Sequence, residues 1–227
     1  MLRCFGRDKR LLESQQEWKG LRRVGGLSLI LAGALYLISI GLFVPLGIPP
    51  SEGSAFLNFV FQDRSTLQFI FTAFFFMDVL LVVGVASLYF WLRQGRASLV
   101  IGCILGVVAL TVDLVNSVFT YSLLGMSSAL AASSNDAQRM AFGAAGQLLS
   151  IVIQGIGLQF FYIVFSITII AVSLSAPKIV GKVTSYVGVV AGIAGVAAGI
   201  LAMIPLSVLW PVWFILVGSK LFGFRST

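Results

Sequence analysis

Six long apolar runs, separated by short polar segments, dominate the hydrophobic pattern of this 227-residue chain. The runs are continuously apolar and do not alternate as a half-buried strand would. Each holds about 20 residues or more, the length that a helix needs to cross roughly 30 Å of hydrocarbon. The pattern predicts an all-α, polytopic membrane protein built as a bundle of six transmembrane helices. The predicted spans are 24–44, 67–91, 98–124, 145–175, 183–203 and 206–222.

The composition excludes a separate soluble domain. Only 10% of the residues are charged, against about 25% in soluble proteins. We therefore divide the chain into a basic amphipathic N-terminal segment, 1–23, and a six-helix membrane domain, 24–227. The net charge of +7 is concentrated in that first segment and at the ends of the spans. This distribution is typical of contact with lipid headgroups and opposes nucleic-acid binding, so the lipid bilayer and anionic lipids at the cytoplasmic face are the expected partners.

The basic residues also predict an orientation. Six spans place thirteen of them on one side and two, Arg64 and Arg139, on the other. Positively charged loops stay in the cytoplasm. We expect a multi-pass protein of the plasma (inner) membrane with both termini in the cytoplasm.

The N-terminal segment mixes apolar and basic residues and is predicted to form an amphipathic helix on the inner leaflet. The alternative is a solvated basic tail. The residues expected to touch the membrane surface are Arg10, Trp18, Lys19, Arg22 and Arg23.

Two segments on the predicted outer side stand out. In 45–66, the apolar stretch from Ala55 to Phe61 is too short to span, and it predicts an interfacial helix or a lid over an outer vestibule. The second outer loop is predicted at 125–143, with Ser134, Asn135 and Asp136 as candidates to cap the next helix.

Span five carries a stripe of small residues in G-x-x-x-G spacing, which lets helix backbones approach closely in lipid. We expect this stripe to pack inside the bundle rather than form a homodimer face, while a homo-oligomer or a larger membrane complex stays open as an alternative. The helix-packing residues are Gly188, Gly192, Gly195 and Gly199.

Two acidic residues lie in the middle of spans. Asp78 and Asp113 are each about eleven residues, or roughly 16 Å, from the same predicted side of the membrane. Spans two, three and four hold no basic residue to neutralise them. Their helices are consecutive and antiparallel, so the two carboxyl groups are expected to be neighbours. Asn116 shares a helical face with Asp113, and Gln154 of span four lies at a similar depth. These four residues form the predicted proton, cation or ligand site.

Three roles fit such a cluster. Two nearby buried carboxylates cannot both ionise without a large cost, so the pair could share and release a proton. It could instead bind a cation or a cationic solute, or it could be structural, joining helices through protonated aspartates. The first two predict a small proton- or cation-coupled carrier. The third predicts a non-catalytic scaffold or accessory subunit.

Enzymatic chemistry has little support in the sequence. The chain has no histidine, no nucleophile motif, and neither a cofactor motif nor a metal-ligand spacing, so no cofactor and no metal are expected. An intramembrane aspartyl protease is disfavoured, because the second aspartate of such enzymes normally follows Gly-x-Gly and here it follows Leu110-Thr111-Val112. The aromatic residues of spans two and four are predicted to form lipid-facing and packing surface.

The opening of span one, Arg23-Val24-Gly25-Gly26 followed by Gly33 and Tyr36, resembles the start of a broad group of small bacterial six-helix membrane proteins of uncharacterised function. The ending, from Trp213 through Gly218 to Leu221, is similar to theirs as well. The resemblance implies a prokaryotic plasma-membrane protein and no particular activity.

Overall fold

The fold is all-helical in this computed structural model, which describes residues 5–92, 97–175, 177–201 and 204–223. No strand occurs in these ranges. The α-helices are α1 Phe5–Phe43, α2 Gly53–Gln62, α3 Arg64–Leu92, α4 Ala97–Ala132, α5 Asp136–Ser150, α6 Leu158–Ser175, α7 Pro177–Val180, α8 Lys182–Leu201 and α9 Leu209–Gly223. Short 3-10 turns cover Val44–Leu46 and Ile204–Val208, and a π-helical segment, Ile151–Gly157, joins α5 to α6.

Six helical stretches are long and apolar enough to cross a membrane, which confirms the predicted number of spans. The fourth combines α5, the π segment and α6. Their bounds are Lys19–Leu46, Arg64–Trp91, Ala97–Ala132, Asp136–Ser175, Lys182–Leu201 and Leu206–Gly223.

The predicted outer loop at 125–143 is wrong. Helix α4 continues to Ala132 and α5 begins at Asp136, so only residues 133–135 connect them. The helix continues because Ser127 and Leu130 are still buried. Asn135 is the N-cap of α5, as its side chain accepts a hydrogen bond from the Ala137 amide at 2.9 Å. At 1.5 Å per residue, the 36 residues of α4 extend about 54 Å, well beyond the hydrocarbon thickness.

Helix α2 is the short element expected in segment 45–66, and it covers the ends of α4 and α5. Its own residues Phe56, Leu57 and Val60 are buried on the side that faces the bundle. Its first residue, Gly53, lies against α5 so closely that a side chain there would overlap the Gly143 carbonyl. The Gly53 amide donates to Gln147 Oε1 at 2.7 Å. We call the end of the bundle that carries α2 the α2 face, and the opposite end the terminal face.

The N-terminal segment is continuous with the first span. A single helix, α1, runs from Phe5 to Phe43, without an interruption at residue 23. Lys19 and Arg23 are exposed and Arg22 is half-buried. The side chains of Arg10 and Trp18 lie outside the described part of the structure, so their contact with a membrane surface stays a prediction.

Glycines set the closest helix contacts on the terminal side of the bundle. Gly26 of α1 faces Gly218 of α9, where a side chain on either would overlap the other's carbonyl oxygen. A second close contact joins α8 to α6 and α9, and we call it the packing seam. It is formed around the glycine stripe Gly188, Gly192, Gly195 and Gly199.

The hairpin of α8 and α9 is short. These helices have 20 and 15 residues, against 29 in α3 and 36 in α4. Their connection at Ile204–Val208 is buried at Ser207, which touches Tyr36 of α1 and Tyr162 of α6. The hairpin therefore ends inside the bundle, and it does not fill the space between α1 and α5 on the α2 side.

Candidate functional site

The two intramembrane aspartates are neighbours in the middle of the bundle. Asp78 lies 14 residues from either end of α3, or about 21 Å along its axis. Asp113 lies 16 residues from the start of α4, or about 24 Å. Their carboxyl groups are close enough to interact directly. Asp78 is fully buried at 0% exposure, whereas Asp113 is half-buried.

Asp78 is buried without a hydrogen-bond partner among the residues that the structure describes. Among the described residues, no N–H or O–H group makes a hydrogen bond of good geometry to either Asp78 oxygen. The polar group beside it is the Asp113 carboxyl, which is itself an acceptor when ionised. Two carboxyl groups can form a hydrogen bond only when one carries a proton. The arrangement therefore suits a pair that holds one shared proton and a single negative charge.

The amide residues complete the polar layer. Asn116 lies one helical turn from Asp113 and interacts with its carboxyl group. The Asn116 side-chain nitrogen also approaches the Ile153 carbonyl of the π segment, at 3.5 Å. Gln154 belongs to the same π segment, and such segments often occur at functional sites. The structure thus brings Asp113, Asn116 and Gln154 to one cavity, with Asp78 beside Asp113.

A cavity of about 180 Å³ connects this layer to the α2 face. Asp113, Asn116 and Gln154 line its inner part, whereas Pro49 and Phe56 line the part beneath α2. Asp78 does not line it and sits behind Asp113. One carboxyl group of the pair is therefore accessible from the cavity and the other is sealed in the protein.

A network of three hydroxyl groups, not found from the sequence, closes one side of the cavity. Tyr36 Oη lies 2.5 Å from Ser207 Oγ and 3.1 Å from Tyr162 Oη. Both tyrosines line the cavity and are close enough to Asp113 to interact with its charge. A tyrosine inside an apolar run usually needs a hydrogen-bond partner. Tyr36 and Tyr162 could therefore have indicated buried hydrogen bonds from the sequence alone. The partner at Ser207 comes from a distant part of the chain.

The aromatic residues of spans two and four divide into an outward-facing group and a group packed against the core. Phe69, Phe76 and Phe160 are exposed on the outside of the bundle, as lipid-facing residues would be. Phe71, Phe74 and Phe161 instead line the cavity. Hydropathy alone cannot separate these two groups, because both lie in continuously apolar helices.

The four glycines of span five all face inward. Side chains at Gly188 and Gly195 would overlap Trp213 and Trp210 of α9. Those at Gly192 and Gly199 would press on backbone carbonyls of α6. The stripe is occupied by contacts within the chain, and a homodimer would have to use another surface.

The chemistry available at this site is proton sharing and cation binding. Within the described ranges, no group of three Cys, Asp or Glu side chains could hold a metal ion. The acidic pair and the two amides offer oxygen acceptors beside an apolar cavity. They do not form a nucleophile with a neighbouring base.

Comparison of the chain with protein-family models, with curated proteins and with solved structures finds no match. The resemblance to small bacterial six-helix membrane proteins accordingly stays a prediction. Function is inferred from the geometry of the site.

Proposed function

We propose that this protein is a small carrier of the plasma membrane that uses the Asp78–Asp113 pair to couple the movement of protons or cations. One observation supports it above all others: a cavity extends from the α2 face to Asp113, and Asp113 adjoins a second, sealed carboxyl group. A structural contact between helices needs no such access. A site that takes up protons or cations needs a path by which they can reach it from at least one side of the membrane.

The two sides of the acidic pair differ in the way that alternating access requires. On the α2 side lies the 180 Å³ cavity. On the terminal side, Leu81, Val85 and Phe165 pack around a void of about 10 Å³, at the limit of what holds one water molecule. This arrangement corresponds to a carrier state that is open toward α2 and closed toward the termini. With both termini in the cytoplasm, as the positive-inside rule predicts, this is the outward-facing state.

The pair supplies the coupling charge. With one shared proton it carries one negative charge, and a second proton or a cation entering through the cavity neutralises it. Closing the carrier around a neutral site costs less free energy than closing it around a charged one. Release on the other side then requires the packing around Val85 and Phe165 to open.

Flux through reconstituted protein tests the proposal. Proteoliposomes with a pH-sensitive dye inside, driven by an imposed potential, are expected to show proton uptake with the wild type. Asp113→Asn and Asp78→Asn should both lose it, because an amide keeps the shape and the hydrogen bonding of the site but cannot release a proton. Glu52→Gln is the matched control, since Glu52 is exposed and makes no capping hydrogen bond.

Folding of each variant is checked by size-exclusion chromatography and circular dichroism in the same detergent. Unchanged flux in both Asp→Asn variants would contradict the proposal.

A scaffold or accessory subunit is the second candidate, and the burial of Asp78 favours it. A carboxyl group at 0% exposure can act as a fixed contact between α3 and α4 without any exchange of protons with solvent. On this proposal the wild type shows no flux, and replacing either aspartate by leucine lowers the stability without any effect on transport.

A further inference from the structure

The cavity above Asp113 has the features of a binding site for an organic cation. Of the described residues that line it, Asp113 is the one that carries a charge, and none is basic. The remaining polar groups at its inner end are amides and hydroxyls, from Asn116, Ser117 and Gln154. A negative charge at one end of an apolar cavity selects against anions and leaves a neutral polar solute with few partners.

The walls of the cavity are aromatic. Tyr36, Phe71, Phe74, Phe161 and Tyr162 line it, and Tyr36 and Phe74 pack edge to face with their centroids 5.9 Å apart. Aromatic rings attract ammonium groups through their negative faces, most strongly where water is excluded. They also provide apolar surface for a hydrocarbon tail. Acid and rings together favour a ligand that is both positively charged and hydrophobic.

The volume limits the size of that ligand. A cavity of about 180 Å³ is slightly larger than the roughly 150 Å³ engineered cavity that accommodates benzene. It therefore has room for one ring, or a short alkyl chain, with a few additional atoms. A lipid chain or a drug-sized molecule exceeds it.

We propose that the cavity binds a small hydrophobic primary ammonium ion, with the ammonium group at Asp113 and its hydrocarbon part among the aromatic residues below α2. Three N–H donors of the ammonium match the acceptors present: a carboxyl oxygen of Asp113 and the amide oxygens of Asn116 and Gln154. The sealed Asp78 contributes to the negative charge without touching the ligand. This inference rests on the proposed function, since it names the cation that the acidic pair would carry.

Three probes of one shape but different charge test this inference. Wild-type protein in lipid nanodiscs is titrated calorimetrically with phenethylammonium, with 2-phenylethanol, and with 3-phenylpropionate. We expect the ammonium ion to bind at least tenfold more tightly than the alcohol, and the carboxylate not to bind. Equal affinity for the ammonium ion and the alcohol, or no binding of the ammonium ion, would overturn the inference.

Two variants locate the site. Asp113→Asn should weaken phenethylammonium at least tenfold and leave 2-phenylethanol unchanged, while Glu52→Gln, the control, should change neither. Ser117→Leu narrows the cavity and keeps both aspartates in the chain, so it should abolish binding of both compounds even if Asp113→Asn does not fold. Undiminished ammonium binding in Ser117→Leu would show that the ligand sits elsewhere and would refute the inference.

Failure of this inference is distinguishable from failure of the carrier proposal. Proton flux that depends on the aspartates, in a protein that does not bind phenethylammonium, would support the carrier proposal and refute the proposed ligand. Binding that depends on Asp113, in a protein without flux, would support the proposed ligand and refute the carrier proposal.

Discussion

The cavity region and the packing seam are both made of apolar helices with polar groups buried between them, yet the side chains around those groups differ in size. In the seam, glycines let α8 approach so closely that Trp210 and Trp213 fill the gap. In the cavity region, aromatic side chains of α1, α3 and α6 border a cavity beside Asp113. Small residues allow the helices of a membrane bundle to approach closely, whereas the large rings near Asp113 line a cavity. The two regions thus differ in the size of the side chains that surround their buried polar groups.

Both regions bury polar groups that have no partner among the described residues: Asp78 beside the cavity, and Ser166, Ser173 and Trp213 in the seam. In the seam, Trp210 donates its indole N–H to the Ala191 carbonyl at 3.1 Å, a contact that holds a helix pair together. In the cavity region, the acidic pair has no donor among the described residues for its sealed member. The unpartnered groups of the seam are neutral, whereas that of the cavity region is a carboxyl group, which costs far more to bury when it is ionised.

Adding volume to the seam should have the largest effect. Gly195→Val places methyl groups against Ser166 and Trp210, and we expect a loss of about 3 kcal/mol, the upper end of the roughly 1–3 kcal/mol that over-packing of a core typically costs. The measurement is the thermal midpoint of purified protein in detergent. Gly125→Val is the control, because nothing lies within 4 Å of a side chain at that α4 position. Equal midpoints for the two variants would contradict the described seam.

Replacing Asp78 should have the next largest effect and should depend on chemistry rather than volume. Asp78→Leu removes the polar neighbour of Asp113, and we expect a loss of about 1–3 kcal/mol, typical of a buried polar group deprived of its partner. Asp78→Asn should lose less than about 1 kcal/mol, because its amide can donate to the Asp113 carboxyl group. Denaturation midpoints in a single detergent compare the two. A leucine variant as stable as the asparagine variant would show that the acidic pair is not a contact.

Filling the cavity should have an opposite and smaller effect. Ser117→Leu adds apolar volume to an existing space and should raise the stability by about 0.5–2 kcal/mol, as cavity-filling substitutions commonly do. The same change at Ser166, buried in the seam, should lower it. The pair of thermal midpoints tests directly whether the two regions differ in free volume. A decrease of similar size in both variants would mean that they do not.

Removing one hydroxyl from the Tyr36–Ser207–Tyr162 network should have the smallest effect. In Tyr36→Phe, Ser207 and Tyr162 keep their own contact at 3.4 Å, so we expect a loss of about 1 kcal/mol, the net contribution of one hydrogen bond. The thermal midpoint again measures it. A loss above about 3 kcal/mol would indicate that the network, and not apolar packing, fixes the α8–α9 hairpin.

Much of the fold could be predicted because it follows from hydropathy. Six apolar runs gave six spans, and Asp78 and Asp113 were expected to be neighbours from their equal depths on consecutive helices. The extension of α4 to Ala132 could not be foreseen, since only the fold places Leu130, near its end, in a buried cluster with residues of α2. The cavity was equally hidden, because Phe71 and Phe69 look alike in sequence and only the packing decides which faces inward. The Tyr36–Ser207 contact joins residues 171 positions apart, and no local pattern encodes it.

The π segment gives the wall of the cavity a means of changing shape without unfolding. A π-helical turn accommodates one more residue than an α-helical turn, and its wider hydrogen bonds can be handed on to the next residue along the helix. Each residue of an α-helix turns by about 100°, from 3.6 residues per turn. Passing the wide turn along by one position would therefore swing Gln154 around the helix axis while Asp136 and Ser175, at the two ends of the span, stay where they are. A local screw motion of this kind, confined to one wall of the cavity, would change which side chain of the π segment faces the carboxyl pair.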